Sequence, residues 1–234
     1  MLNKEKKYKL IMFDLDGTIN DSGEGIIESV QYALDHFGLK NEPVEKLRKF
    51  VGPSLVDSFT NFYHMSEEDV KKAVALYREV YESGNLFHLT VYEGMKELLK
   101  ALNEKGNIKT SVVTSKPYKF AVPILEKFQI KDYFSYIIGT DVKDPSSDKS
   151  RLIDRAIEEA RGDLTDLEKS EAIMIGDTHF DIEGAKKSEV ASIGVSYGYG
   201  TREELERAGA DIVVDSVSEL SELLLEKLLF SIEI

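Results

Sequence analysis

Lys9-Leu10-Ile11-Met12-Phe13-Asp14-Leu15-Asp16-Gly17-Thr18 is the stretch from which the rest of the chain is read. Its apolar run is too short for a helix and ends in the turn-forming pair Asp16-Gly17, which predicts a buried strand. Asp14 and Asp16, two residues apart, lie on the same side of extended chain, so both can face a reaction centre just past the strand end. Gly17 permits the turn and lets a ligand approach the backbone. Taken alone, the same residues also describe an ordinary turn with a helix-capping aspartate.

Working outward, further runs of the same kind predict strands at Lys109–Thr114, Tyr136–Gly139, Glu171–Gly176, Ala191–Val195 and Asp211–Val214. Helical periodicity falls between them, at Gly94–Glu104, Lys119–Phe128, Lys149–Arg161, Asp181–Lys187, Arg202–Ala208 and Val217–Leu229. Strand alternating with helix predicts an α/β fold, a doubly wound parallel Rossmann-like sheet with its binding crevice outside the carboxyl ends of the strands. Between the first and second of these strands the chain is helical throughout, over Gly25–His36, Val44–Phe50, Leu55–Phe62 and Ser66–Tyr81. This stretch predicts an inserted helical domain at 21–87, leaving 1–20 and 88–234 as the core.

The composition agrees with a folded enzyme-sized chain. The 234 residues are 42% hydrophobic and 31% charged, enough apolar material for a sizeable core. Cysteine is absent, which excludes disulfides, thiolate metal sites and a cysteine nucleophile. Forty-three acidic against thirty basic residues give a net charge of -13, a field that disfavours nucleic acid and anionic membranes as partners. The Lys-rich start leads into an apolar run too short for a membrane span, so no signal peptide is expected and a cytoplasmic location is.

Two more strand ends carry polar chemistry. Val112-Val113-Thr114-Ser115-Lys116 presents hydroxyls, backbone N–H groups and a lysine suited to phosphate oxygens, although a capped helix start would look the same. Ile175-Gly176-Asp177-Thr178-His179-Phe180-Asp181 ends another strand in acids, and a hard divalent cation such as Mg²⁺ takes oxygen ligands of this kind. Asp14 and Asp177 would supply two carboxylates, with Asp181 orienting a partner or capping a helix. A lysine that offsets phosphate charge would be Lys149 or Lys143; Lys149 stands where a helix begins, against the helix dipole, and so has the stronger case.

Jointly these segments resemble the four motifs of the haloacid dehalogenase superfamily: Phe13 through Thr18, Val113 through Lys116, Lys149, and Gly176 through Asp181. The insert lies where that superfamily carries its helical C1 cap. The resemblance implies that Asp14 attacks phosphorus, Asp16 handles the leaving-group proton, and Gly17, Thr114, Ser115, Lys116 and Lys149 hold the phosphoryl group. Mg²⁺ would be held by Asp14, the carbonyl of Asp16, and Asp177, with Asp181 behind them. An acid at position 16 argues for phosphate against carbon–halide cleavage. Val51-Gly52-Pro53-Ser54-Leu55 and Ser196-Tyr197-Gly198-Tyr199-Gly200 resemble segments of phosphatases for phosphoglycolate or nucleoside 5′-monophosphates. The expectation is therefore a Mg²⁺-dependent phosphomonoester hydrolase acting on a small phosphorylated metabolite. A phosphosugar mutase is the alternative, and a non-catalytic binding module a weaker one. Asn20, Ser54 and Tyr63 are candidate readers of the substrate, and Tyr197 or Tyr199 could stack on a base or simply pack.

Overall fold

In the computed structural model, which describes residues 7–141 and 148–228, the chain divides into two compact units, Met1–Ile19 with Val91–Ile234 and Asn20–Thr90. In order, the elements are β1 (Leu10–Phe13), β2 (Asn20–Asp21), α1 (Gly23–Asp35), α2 (Val44–Leu47), α3 (Leu55–Tyr63), α4 (Glu67–Ser83), β3 (Thr90–Val91) and α5 (Met95–Glu104). There follow β4 (Lys109–Pro117), α6 (Tyr118–Lys127), β5 (Tyr136–Thr140), α7 (Lys149–Ala160), β6 (Ala172–Gly176), α8 (His179–Lys187), β7 (Ala191–Val195), α9 (Arg202–Ala208), β8 (Ile212–Val214) and α10 (Val217–Glu222).

The larger unit is built on a six-stranded sheet in the order β5-β4-β1-β6-β7-β8, every pair parallel. A parallel sheet flanked by helices is buried on both faces, and β1 and β6 are buried at every residue. Leu10 and Met12 of β1 join Val113, Ile138 and Met174 in a cluster closed by Leu152, Ile153, Ala156 and Ile157 of α7. Phe13, of opposite parity, faces the other way and meets Phe134 edge-on at 6.3 Å between ring centres.

Strand order places the site. The chain leaves β1 toward β4 and β5, then returns on the other side of β1 to β6, β7 and β8. The order therefore reverses around β1, and the crevice of such a sheet opens at that point, beyond the carboxyl ends of β4, β1 and β6. Asp14 and Asp177 stand just past the ends of β1 and β6, and Thr114 lies within the closing residues of β4.

Two boundaries differ from the sequence reading for physical reasons. β4 runs past Thr114 to Pro117, and Pro117 opens α6, so Thr114 and Ser115 lie in a strand and do not cap a helix. Beyond α10 the backbone widens into a π-helical segment, Leu223–Leu228. Residues five apart lie nearly in line in such a turn, so Leu223 and Leu228 both turn inward with Leu224. The two-residue strands β2 and β3, which pair with each other, are too short for any periodicity to announce them.

The smaller unit is helical, as the period predicts. α1 and α4 carry buried stripes, Ile26, Val30, Ala33 and Leu34 on one and Val70, Ala73, Tyr77 and Tyr81 on the other. Phe50 meets Phe59 edge-on at 4.9 Å between ring centres. Ser66 caps α4 by accepting from the Asp69 N–H at 3.2 Å, at the position the sequence marks for a helix start. Among the described residues, no helix is long and apolar enough to cross a membrane.

Candidate active site

Asp14 follows β1 directly, and its N–H still donates to the Ile175 carbonyl of β6 at 2.9 Å, so the backbone at this residue is held by the sheet itself. Carboxylate oxygens of Asp14, Asp177 and Asp181, all buried, lie within 4.8 Å of one another. The residues at 14 and 177, far apart in sequence, thus share one environment.

Lys149 is the cation that pairs with two of these three acids, Asp14 and Asp181. It heads the sheet-facing stripe of α7, which continues through Leu152, Ile153, Ala156 and Ile157 at helical spacing, so the packing that buries those residues also carries Lys149 into the core. Its Nζ donates to Asp14 Oδ1 at 2.7 Å and lies 2.8 Å from Asp181 Oδ1, with 4% of the side chain exposed. Lys143 lies outside the described residues.

Asp181 stands at the third position of α8, whose N-cap is Thr178 and not Asp181 itself. Its Oδ2 accepts from the Thr178 N–H at 3.1 Å and hydroxyl at 3.0 Å, while its Oδ1 meets Lys149. With both oxygens so engaged, Asp181 orients Lys149 and closes the helix end.

Asp177 is gripped from two sides. Thr18 Oγ1 donates to Oδ1 at 3.3 Å, and the Tyr199 N–H donates to Oδ2 at 2.9 Å. Gly17 turns at φ +87°, and a Cβ there would sit 2.0 Å from Asp177 Oδ2, so both the turn and the close approach require glycine. Gly198 is held as tightly: a Cβ would lie 2.3 Å from the Gly17 carbonyl oxygen and 2.4 Å from the Asp177 Cβ.

Asp16 and Lys116 form a second ion pair, Oδ2 to Nζ at 3.0 Å, with side chains 11% and 6% exposed. Asp16 Oδ1 is buried with no hydrogen-bond partner among the described residues. Thr114, buried near the end of β4, accepts the Lys116 N–H on its hydroxyl at 3.1 Å, and the Ser115 carbonyl accepts from the Thr140 hydroxyl at 2.9 Å. The fold therefore gathers Asp14, Asp16, Gly17, Thr114, Ser115, Lys116, Lys149, Asp177 and Asp181 at the carboxyl edge of one sheet.

The acids outnumber the cations here, and their titration reflects it. Burial, helped by Asp181 and Asp16 and resisted by Lys149, raises the Asp14 carboxyl from 3.8 to about 6. Burial and the charges of Asp181 and Asp14 hold Asp177 well above the ordinary carboxylate range. Burial works against the charge of Lys149, but Asp14 and Asp181 outweigh it and keep the ammonium above the usual lysine value. A buried cluster of hard oxygen donors short of positive charge is the donor set that suits a divalent cation such as Mg²⁺.

Two participants escaped the sequence reading, the Thr18 hydroxyl and the Tyr199 N–H, while for Tyr197 the structure decides between the two alternatives. Thr18 was visible in the first motif but carries no signal that its hydroxyl reaches Asp177. Tyr199 contributes a backbone N–H, which side-chain identity cannot reveal. Tyr197 donates its hydroxyl to the Thr18 carbonyl at 2.9 Å and packs edge-on against Tyr92 at 4.9 Å, so it braces the loop and is not a free stacking platform. In the smaller unit, the Tyr63 hydroxyl is taken by Glu42 at 2.8 Å, and Asn20 is buried with neither side-chain polar atom partnered among the described residues.

Residues 11–195 match the family described as haloacid dehalogenase-like hydrolase. A 5′-nucleotidase of Pseudomonas aeruginosa is 37% identical over 199 residues, 85% of this chain and 87% of that protein. A phosphoglycolate phosphatase of Vibrio parahaemolyticus is 33% identical over 228 residues, 93% of this chain and 96% of that one. Among solved structures, a predicted phosphatase from Clostridium acetobutylicum superposes with a TM-score of 0.87 at 41% identity, covering 94% of this chain and all 100% of its own.

Proposed function

The chain belongs to the haloacid dehalogenase-like hydrolase family and is a phosphatase, and from that premise we propose a Mg²⁺-dependent phosphomonoester hydrolase that works through a phosphorylated Asp14. The observation that carries this reading is the pairing at Asp14: one oxygen is anchored by Lys149 at 2.7 Å, while the residue remains within 4.8 Å of the Asp177 carboxylate. A carboxylate fixed in that way is oriented for attack and sits where a cation can also reach it.

Asp14, Asp177 and the Asp16 carbonyl would hold Mg²⁺. When bound, the ion neutralises the excess of acids and offsets charge on the phosphoryl oxygens. Asp14 attacks phosphorus and takes the phosphoryl group, while the leaving oxygen receives a proton from Asp16, whose Oδ1 has no hydrogen-bond partner among the described residues. For that, Lys116 exchanges Asp16 for phosphoryl oxygens, joining Thr114, Ser115, Gly17 and Lys149 around the group. Asp16 then takes the proton of the water that splits the acyl phosphate, and Asp14 is restored. Lys149 keeps Asp14 ionised and in place throughout, and Asp181 keeps Lys149 aimed.

In this reading residues 21–87 form a helical cap domain and 1–20 with 88–234 the core, and the cap domain selects among substrates. The substrate is a small phosphorylated metabolite, with phosphoglycolate and nucleoside 5′-monophosphates the leading candidates because relatives of both names cover most of the chain. The protein acts in the cytoplasm. The test is release of inorganic phosphate by purified protein from p-nitrophenyl phosphate and then from phosphoglycolate, nucleotides and sugar phosphates, with Mg²⁺ or with chelator. Expected is Mg²⁺-dependent release that Asp14→Asn abolishes. Full activity in Asp14→Asn would remove the nucleophile assignment, and conversion of a sugar phosphate into an isomer without free phosphate would make the protein a mutase.

A further inference from the structure

Glu204 lies outside every motif read from the sequence, yet it ties together the two segments that present Asp177. The loop 196–201 supplies two backbone N–H groups to that aspartate, Tyr199 N–H to Oδ2 at 2.9 Å and Gly200 N–H to the main-chain carbonyl at 3.1 Å. On its leading side the loop is fixed by the Ser196 N–H, which donates to Val214 at 2.9 Å, and by the Tyr197 hydroxyl on Thr18. Its trailing side runs through Gly198, Tyr199 and Gly200, and the two glycines have no side chains to add to the hold of Tyr199.

The trailing anchor is Glu204, in the first turn of α9. Its Oε1 accepts the His179 backbone N–H at 3.2 Å and lies 2.6 Å from His179 Nδ1. Its own N–H is capped by the Thr201 hydroxyl at 3.2 Å. A ring of contacts therefore runs from Asp177 along the chain to His179, across to Glu204, back through Thr201 and Gly200, and again to Asp177. The carboxylate also supplies an acceptor and a negative charge at the N-terminus of α8, where unpaired N–H groups favour both. Arg202 holds α9 independently, through Asp215 at 2.8 Å and the Val213 carbonyl at 3.3 Å, so loss of Glu204 would loosen the trailing side of the loop and leave the helix in place.

We propose that Glu204 is a positioning residue for the cation site, fixing through this ring the direction in which Asp177 offers its carboxylate oxygens. The proposal rests on the metal reading above. Partners one step behind a metal ligand commonly alter affinity by about 10-fold or more when removed. Glu204 acts through one further link, so Glu204→Ala should weaken the cation about 3- to 10-fold.

The experiment titrates Mn²⁺ into the substrate-free protein, reading free Mn²⁺ by electron paramagnetic resonance, for the parent, Glu204→Ala and Glu204→Gln. Expected are binding by the parent, weakening by that factor in Glu204→Ala, and near-parental binding in Glu204→Gln, whose amide oxygen keeps both acceptor contacts. The concentration of Mg²⁺ giving half-maximal phosphatase activity should move with the Mn²⁺ affinity, while the rate at saturating Mg²⁺ stays within about twofold. If the parent binds no Mn²⁺, the metal reading falls and the proposal with it. If the parent binds and Glu204→Ala binds equally well, the proposal alone is overturned. Glu204→Gln as weak as Glu204→Ala also overturns it, because charge and not position would then be at work.

Discussion

Replacing Asp177 with asparagine should make the metal-free protein more stable while destroying its affinity for the cation. Carboxylate oxygens of residues 14, 177 and 181 crowd within 4.8 Å, and Lys149 touches Asp14 and Asp181. Two like charges at that separation repel by about 3 kcal/mol at an effective dielectric constant of ~20. Asp177 meets two such neighbours, and part of that repulsion is already relieved by the distant attraction of Lys149 and by its own tendency to hold a proton. A net gain of about 2 kcal/mol on neutralisation is a reasonable scale, worth roughly 4 to 8 °C in Tm for a chain of this size. Asparagine fits the space: its Oδ1 can accept the Tyr199 N–H, and its amide can donate to Thr18 Oγ1, which then acts as acceptor. The assay is thermal unfolding in chelator and in excess Mg²⁺. The parent should gain about 3 kcal/mol from Mg²⁺ at a hundred times its dissociation constant, and Asp177→Asn should gain nothing. A variant that melts at or below the parent in chelator would refute the electrostatic reasoning. One that still responds to Mg²⁺ would remove Asp177 from the ligand set.

Lys149→Met should act in the opposite sense, because it strips the shared cation from two buried acids; a loss of about 3 to 5 kcal/mol is expected from the urea midpoint, together with near-complete loss of activity. Asp16→Asn should lower kcat about 10²- to 10⁴-fold with an alkyl phosphate, and much less in the first turnover of p-nitrophenyl phosphate, whose leaving group needs no proton; a stopped-flow burst of nitrophenol is the readout. Gly17→Ala should cost about 1 to 3 kcal/mol in the urea midpoint and weaken the cation, since φ is +87° and the added methyl would meet the Asp177 carboxylate. The Asp14 carboxyl, raised from 3.8 to about 6, binds its proton more tightly folded than unfolded. The metal-free protein should therefore lose stability as pH rises from about 4 to about 6, and the slope of Tm against pH should flatten in Asp14→Asn.

The parts of the fold legible in the sequence are those that obey a single local rule. Leu10 to Phe13 and Ile173 to Ile175 announce central strands because they are apolar without interruption, and the stripes of α1 and α4 repeat at helical period. What stayed hidden was set by distant partners. β4 runs on through the polar Ser115 and Lys116, where Thr140 and Asp16 provide the contacts that local composition cannot foretell. Asp14 and Asp177 could be nominated because several strand ends of one sheet carry polar chemistry together, and Lys149 because a cation at a helix start is unfavourable. Thr18, Glu204 and the Tyr199 N–H could not, since nothing distinguishes them until the turn at Gly17 and the loop at Gly198 bring them to Asp177.

Chemical trapping of the phosphoenzyme bears most directly on the role of Asp14. Enzyme turning over p-nitrophenyl phosphate with Mg²⁺ is quenched in acid, reduced with borohydride and digested, and the peptide spanning residues 9–18 is sequenced by mass spectrometry. An acyl phosphate at Asp14 is reduced to homoserine, so homoserine at position 14, enriched in Asp16→Asn, is the predicted result. Steady release of phosphate with aspartate at position 14 left unreduced in every peptide would mean that phosphorus is attacked by something else.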